Sequence, residues 1–157
     1  MIGASWEHNA IVTSTSFALY GQLRRRPCNV FTNDMRVSVA TNGLYTYPDL
    51  VVCCGKPQFS DEAFETLLNP TVLIEIFSPA TEGHDRGKKF HQYQKLRSLK
   101  EYVLIAQDAY YVDHFVRQNE NSWLLTPHDG LAATIHLPAI DCTLALADIY
   151  EKIAVPS

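Results

Sequence analysis

The segment TVLIEIF, residues 71–77, constrains the fold of this chain most, because it sets one carboxylate, Glu75, inside a run of strand-forming residues. On a strand, alternation puts Leu73, Glu75 and Phe77 on one face of the sheet. A charge that loses its hydration without gaining a partner costs several kcal/mol, even after its surroundings relax. Glu75 has no polar neighbour within its own strand, so its partner must come from another part of the chain.

A second carboxylate, Asp49, stands at the head of another apolar run in YTYPDLVVCCG, residues 45–55. Taken alone, Asp49 is either a strand-start carboxylate that bonds to nearby backbone or the first half of a metal site. If the two strands lie side by side, Asp49 and Glu75 meet near one end of the sheet, where two carboxylates either raise the pKa of one of them or bind a hard cation such as Mg²⁺. The alternative for Glu75 is an ion pair with a buried arginine such as Arg36.

A basic segment follows the TVLIEIF strand. The sequence DRGKKFHQYQKLRSL, residues 85–99, has apolar residues at helical spacing and predicts an amphipathic helix. We expect Asp85 at its N-cap, with Arg86, Lys88 and Lys89 in its first turns. Positive charge there opposes the helix macrodipole unless the side chains reach acidic residues or a phosphodiester. Together with the two carboxylates, this segment predicts metal-assisted hydrolysis of a phosphodiester, with a lysine orienting the attacking water.

The order of predicted elements favours an α/β or α+β fold in one domain over residues 1–157, with a central mixed sheet flanked by helices. A first helix spans about Trp6 to Arg25 and ends at RRRP. We expect an exposed loop over residues 55–70, with a short helical turn near Glu62 to Leu68. The other expected elements are strands in CNVFTN, MRVSVA, DLVVCC, EYVLIAQ, YYVDHFVRQ, SWLLT and ATIHLP, turns at TNG, NEN and HDG, and a closing helix in TLALADIYEKI.

Composition and charge limit the classes of partner and site. The net charge of −4 gives no global attraction to nucleic acid, so any such binding must come from a local patch. No run of about 18 uncharged apolar residues offers a membrane span, and the start lacks the regions of a secretory signal, so we expect the cytoplasm. Without a CxxC pair, small buried thiols are favoured over zinc ligands for the cysteines, which are Cys28, Cys53, Cys54 and Cys142.

Three stretches carry a specific resemblance: CNVFTNDMRVSV, YTYPDLVVCCG and NPTVLIEIFSPATEGHDRGKKFHQYQKLRSLKEYVLIAQ. They closely resemble the bacterial Uma-two family of proposed restriction endonucleases, within the PD-(D/E)XK nuclease superfamily. The resemblance spans about His8 to Ile153, and its core is a P-D pair, an apolar strand bearing E, then S-P-x-T, D-R, K and Y. It implies a restriction-endonuclease-like sheet flanked by helices, dependence on Mg²⁺ or Mn²⁺, and nuclease chemistry.

The resemblance also implies the principal site residues. Asp49 matches the aspartate of the superfamily's PD pair, and Glu75 matches the acidic residue of its second half. The superfamily's lysine stands two residues after that acid, where this chain has Phe77. In the family's pattern the lysine lies on the following helix, where Lys89 matches best and Lys88 is its neighbour.

Four further residues are candidates for supporting the site. The backbone carbonyl of Ile76 is a candidate third metal ligand, and His8 lies where the superfamily often has a supporting acidic residue. Asp85 is either an N-cap alone or a site residue. Tyr93, four residues after Lys89, lies on the same helix face and either hydrogen-bonds in the site or is a core tyrosine with its hydroxyl at the rim.

Three functions are open from the sequence. The leading one is a Mg²⁺-dependent endonuclease that cuts nucleic acid, with DNA favoured as substrate, and that works as a homodimer through exposed strands of the C-terminal half. The second is a catalytically inactive module of the same fold that binds nucleic acid or a protein partner, for which the displaced lysine and the acidic net charge leave room. The third is a metal hydrolase of small phosphoesters.

Overall fold

The computed structural model describes residues 5–32, 34–39, 44–60 and 65–155. In chain order its helices and strands are α1 Trp6–Leu23, β1 Cys28–Thr32, β2 Arg36–Ser38, β3 Tyr45–Thr46, β4 Leu50–Cys54, β5 Thr66–Leu67, β6 Val72–Phe77, α2 Glu82–His84, a π-helical turn Asp85–Lys89, α3 Phe90–Tyr93, β7 Glu101–Ala106, β8 Tyr111–Asn119, β9 Ser122–Asp129, β10 Thr134–Leu137, β11 Cys142–Ala145 and α4 Leu146–Ile149.

Six strands form a central sheet in the order β1-β4-β6-β7-β8-β9. Strands β6 and β7 are parallel, whereas every other neighbouring pair in this sheet is antiparallel. The prediction of an α+β fold with a central mixed sheet flanked by helices is therefore confirmed. The two remaining sheets are small, with the orders β3-β2-β5 and β10-β11.

Helix α1 forms where the first apolar spacing predicted it. The Ser5 hydroxyl caps its start by accepting a hydrogen bond from the His8 backbone N–H at 3.2 Å. Its buried residues recur at about every fourth position, so one face of the helix packs on the central sheet; they are Ile11, Val12, Thr15, Leu19 and Leu23. Of the helices in the described residues, none is long and apolar enough to cross a membrane.

The alternation predicted for β6 is confirmed, and both faces of this strand are buried. The side chains of one face join α1 in an apolar cluster; they are Val72, Ile74 and Ile76. The opposite face belongs to a second cluster rich in aromatic rings, which includes Leu73, Phe77, Phe90, Tyr93 and Tyr102. Glu75 lies on this second face and is only 3% exposed. The fold therefore buries the carboxylate that the sequence places inside an apolar strand.

The basic segment is helical, but its start and its geometry differ from the prediction. The helix begins at Glu82 after Thr81, so the assignment of Asp85 to the N-cap is wrong. Asp85 instead opens the π-helical turn and is buried. The four-residue spacing of apolar side chains predicts a helical face but does not distinguish an α turn from the wider π turn.

Three other predicted elements change. Thr66–Leu67 is a strand paired in parallel with β2, so the expected helical turn is wrong over its described part. Residues 61–64, like the TNG turn at 41–43, lie outside the described residues. The HDG segment is not a hairpin turn, because after Gly130, at φ 90°, the chain leaves the central sheet for the β10-β11 pair. Strand β11 occupies the part of the tail that was expected to be helical.

The expectation of four free thiols is wrong for two of them. Cys28 and Cys54 form a disulfide, whereas Cys53 and Cys142 are free and buried. The antiparallel register of β1 and β4 sets Cys28 directly opposite Cys54. Strand pairing across 26 residues of sequence created this contact, and spacing between cysteines does not report it.

Reduction of this disulfide is expected to lower the free energy of unfolding by about 3 kcal/mol, because the crosslink closes a loop of intermediate length in the unfolded chain. Denaturant unfolding with and without a thiol reductant measures the effect. The Cys28→Ser/Cys54→Ser variant should show the lower stability and no response to the reductant. A wild type that is equally stable under both conditions would contradict this prediction.

Candidate active site

Asp49 and Glu75 meet at one end of the central sheet, as the sequence predicted for adjacent strands. Strand β4 is antiparallel to β6, and continuing its register by one residue sets Asp49 opposite Glu75. Asp49 Oδ2 accepts a hydrogen bond from the Ile76 backbone N–H at 2.8 Å. The carboxylate is therefore held to the strand that carries the second acid.

Lys89 forms an ion pair with the buried Glu75. Its amine Nζ lies 2.5 Å from Glu75 Oε2 and 3.4 Å from Asp85 Oδ1. Burial raises the pKa of Glu75 to about 7, although the positive charge of Lys89 lowers it. Burial opposes the charged form of Lys89, but the neighbouring carboxylates outweigh it and raise the pKa of this amine. The alternative partner, Arg36, instead donates to Thr66 Oγ1 and lies over the ring of Tyr45.

His8 fixes the other side of Asp49. Its Nε2 lies 3.0 Å from Asp49 Oδ1, and this hydrogen bond raises the pKa of His8. The second ring nitrogen, Nδ1, is buried and has no hydrogen-bond partner among the described residues. Helix α1, capped by Ser5, thus brings its first turn to the end of the sheet where the two acids meet.

Tyr93 belongs both to the site and to the core. Its hydroxyl lies 3.1 Å from Thr46 Oγ1 and 3.5 Å from Glu75 Oε1, while its ring packs edge-on against Tyr102. Burial raises the pKa of the Tyr93 hydroxyl, so this group stays protonated. Both descriptions that the sequence left open therefore apply to the same side chain.

Most of the predicted residues line one cavity of about 620 Å³; they are His8, Asp49, Glu75, Ile76, Asp85 and Lys89. Tyr93 adjoins it through Glu75. Lys88 is exposed on the outer face of the helix and does not line the cavity. The neighbouring Arg86 is engaged elsewhere, because its guanidinium pairs with Glu82 and Asp113.

The cavity also contains polar residues that the sequence did not indicate, including Tyr47, His84 and Gln107. Gln107 directly follows β7, whose last residue, Ala106, pairs with Phe77 at the end of β6. The sequence could have indicated Gln107, because it is a polar residue at the end of a strand that runs parallel to the strand of Glu75. Tyr47 stands two positions before Asp49, a spacing that favours the same side of an extended chain.

The donor set fits a hard divalent cation. Asp49 and Glu75 offer carboxylate oxygens from adjacent strands, and the backbone of Ile76 borders the same cavity. Mg²⁺ typically binds one or two carboxylates and keeps several waters. The described residues contain no group of three or more histidine, cysteine, aspartate or glutamate side chains that could hold a metal ion. Backbone and water oxygens would therefore have to complete the coordination shell.

Comparisons with known protein sequences match most of the chain. The model of the Uma2 family, described as “Putative restriction endonuclease”, matches residues 1–147. Two uncharacterised proteins of Synechocystis sp. PCC 6803 are similar in sequence: sll1609 is 35% identical over 133 residues, covering 85% of this chain and 75% of the relative. The second, slr1290, is 27% identical over 154 residues, covering 98% of this chain and 80% of the relative.

One solved structure has a similar fold. The crystal structure of a “putative nuclease belonging to DUF820” from Anabaena variabilis superposes with a TM-score of 0.76 at 19% identity, covering 94% of this chain and 82% of the other. At this identity the likeness concerns the fold alone. Because the family model matches nearly the whole sequence and sll1609 is 35% identical, the chain belongs to the Uma2 family.

Proposed function

We propose that this protein is an endonuclease, dependent on Mg²⁺ or Mn²⁺, that hydrolyses phosphodiester bonds of nucleic acid, with DNA as the preferred substrate. Membership of the Uma2 family supports a nuclease-like function. The observation that carries the proposal is the position of Lys89, whose amine lies 2.5 Å from Glu75 in the cavity shared with Asp49. A PD-(D/E)XK site needs a lysine beside its acids, and Lys89 supplies one although Phe77 occupies the usual position.

Asp49, Glu75 and the Ile76 carbonyl are the proposed metal ligands. A divalent cation held there would polarise a phosphoryl oxygen and lower the pKa of a bound water. Lys89, kept in place by Glu75 and Asp85, would orient the attacking water and stabilise the negative charge that develops on the phosphate.

His8 and Tyr93 position the acids in this proposal. His8 holds Asp49 Oδ1, while Oδ2 is held by the backbone of Ile76, so the carboxylate has two fixed contacts. The Tyr93 hydroxyl lies between Thr46 and Glu75 and restrains the Glu75 carboxyl group. These contacts favour a preorganised site, in which little reorganisation is needed when charge develops.

A homodimer is the proposed assembly, since two copies would present two sites to two strands of DNA. Strand β9 is one of the two edge strands of the central sheet in the described residues, and its Leu124 and Leu125 are 54% and 46% exposed. An exposed edge strand with apolar side chains is a ready surface for pairing with a second chain. Analytical ultracentrifugation of the wild type and of a Leu124→Lys/Leu125→Lys variant tests this contact.

Substitution of Asp49 by asparagine is expected to abolish metal-dependent cleavage, because asparagine keeps the shape of the side chain but removes the charge that holds the cation. Supercoiled plasmid and single-stranded DNA, each titrated with Mg²⁺ and Mn²⁺, provide the readout. The matched control is Asp148→Asn, which changes an exposed aspartate on α4 and should retain wild-type cleavage.

Cleavage that persists in Asp49→Asn would place the site elsewhere. Binding of DNA without cleavage under any metal would favour the inactive module of the same fold. Turnover of a model diester without DNA binding would favour a hydrolase of small phosphoesters.

A further inference from the structure

Positive charge is concentrated in one part of this acidic chain. Six of its 13 lysine and arginine residues lie between residues 86 and 100, a stretch without aspartate or glutamate, while the net charge of the chain is −4. Two of the six, Arg86 and Lys89, are paired with acids. The other four are exposed and form no ion pair within the described residues; they are Lys88, Lys95, Arg97 and Lys100.

These unpaired cations lead away from the candidate active site. The helical segment from Glu82 to Tyr93 begins at the cavity, where His84 and Lys89 are part of the lining. It ends beside a second, polar groove, which is lined by Lys95, Arg97 and Lys100. Twelve helical residues span about 18 Å, which corresponds to about five phosphates along one strand of B-DNA.

The groove is held in a fixed shape by Arg117. Its guanidinium donates hydrogen bonds to the backbone carbonyls of Gln94, Leu96, Leu99 and Glu120, at 2.7 to 3.0 Å. The same group lies over the ring of Trp123, 4.5 Å from its centroid. Arg117 therefore fixes the backbone on both sides of Lys95 and Arg97, and four of its five N–H donors are used in doing so.

The remaining lining of the groove suits a phosphate backbone. Gln118, Asn119 and Asn121 add side-chain amides, which donate to phosphate oxygens in many complexes with nucleic acid. The carboxylate of Glu120 is the opposing charge there, against three exposed cations. A groove whose walls are fixed and whose charge is mainly positive differs from an ordinary solvated helix face.

We infer that Lys88, Lys95, Arg97 and Lys100 form a phosphate track, along which the backbone of the substrate strand runs from the cavity to the Arg117 groove. This inference rests on the proposed nuclease function and names the part of the substrate beyond the bond that is cut. The track reads charge and spacing rather than base sequence, so it predicts affinity for the phosphodiester backbone without strong sequence preference.

The test is the salt dependence of binding, measured without cleavage. Fluorescence anisotropy in EDTA compares the wild type with Lys95→Gln/Arg97→Gln/Lys100→Gln on a labelled DNA duplex of about 20 base pairs and on a single-stranded RNA of similar length. The triple variant should bind about 10- to 100-fold more weakly near 0.1 M salt, with a log Kd against log salt slope reduced by about 3. Comparison of the two probes shows whether the phosphodiester backbone that binds is that of DNA or of RNA.

The matched control is Arg24→Gln/Arg25→Gln/Lys152→Gln, which removes three exposed cations from other parts of the surface. It should keep the wild-type slope. A triple variant that binds like this control overturns the track, and so does a wild type that binds neither probe. If the protein binds DNA through the track but does not cleave it with any of the metals tested, only the nuclease proposal is refuted. The two failures are therefore distinguishable.

Discussion

Replacement of Lys89 by methionine is expected to lower kcat for metal-dependent DNA cleavage about 10²- to 10³-fold, the loss typical of removing one charge-stabilising donor from an active site. Methionine keeps the length of the side chain and loses the amine that lies 2.5 Å from Glu75. Single-turnover cleavage at saturating Mg²⁺ measures the chemical step. Calorimetric titration with Mn²⁺ shows whether the variant still binds metal, so that a loss of metal is not mistaken for a loss of chemistry.

Two other lysine variants serve as controls for this measurement. Lys152→Met changes an exposed lysine outside the site and should leave kcat unchanged. Lys88→Met changes the neighbour of Lys89 on the outer helix face and should raise KM while sparing kcat. Equal losses of kcat in the Lys88 and Lys89 variants would contradict the role given to Lys89. Full activity of Lys89→Met would remove this lysine from the mechanism.

Glu75→Gln should, in the metal-free protein, become more stable relative to the wild type by about 3 kcal/mol as the pH rises from about 4 to about 8. Burial raises the pKa of Glu75 to about 7 from an ordinary value of 4.5. Between pH 4.5 and about pH 7, the Glu75 carboxyl group therefore keeps its proton in the folded wild type but loses it in the unfolded chain. The stability that this proton contributes is complete below about pH 4.5 and is lost as the pH rises through 7, whereas glutamine has no proton to lose.

Urea unfolding in EDTA at several pH values measures this difference. Glu151→Gln, which changes an exposed glutamate, should follow the wild type at every pH. Saturating Mn²⁺ should narrow the gap at alkaline pH, because a bound cation favours the ionised carboxylate. A difference between wild type and Glu75→Gln that does not vary with pH would show that Glu75 ionises normally in the folded protein.

Periodicity predicted helix α1 and strand β6. The apolar spacing of α1 and the alternation along β6 follow from residues within each element, and the structure has both. The Cys28–Cys54 disulfide and the short strand β5 depend on pairing with distant segments. Local sequence does not encode such pairing, since the register is decided only when the strands pack.

The two acids of the site were accessible from the sequence because burying Glu75 without a partner would be so costly. That physical reason required a partner but did not identify it, and an ion pair with Arg36 was the alternative. The choice of Lys89 came from the resemblance to a family. Gln107 and His84 were missed because they reach the cavity from the end of another strand and from a helix, and only the folded chain brings these elements together.

The π-helical turn Asp85–Lys89 has a consequence for the length of this segment. A π turn holds about one residue more than an α turn, and each residue of an α-helix rotates the chain by about 100°. Loss of a single residue here would close the π turn to an α turn and keep the cavity-lining His84 in phase with Phe90 and Tyr93 in the core, whereas insertion of a residue would rotate His84 by about that angle. A one-residue deletion in this turn that keeps the aspartate and the lysine should therefore be better tolerated than a one-residue insertion.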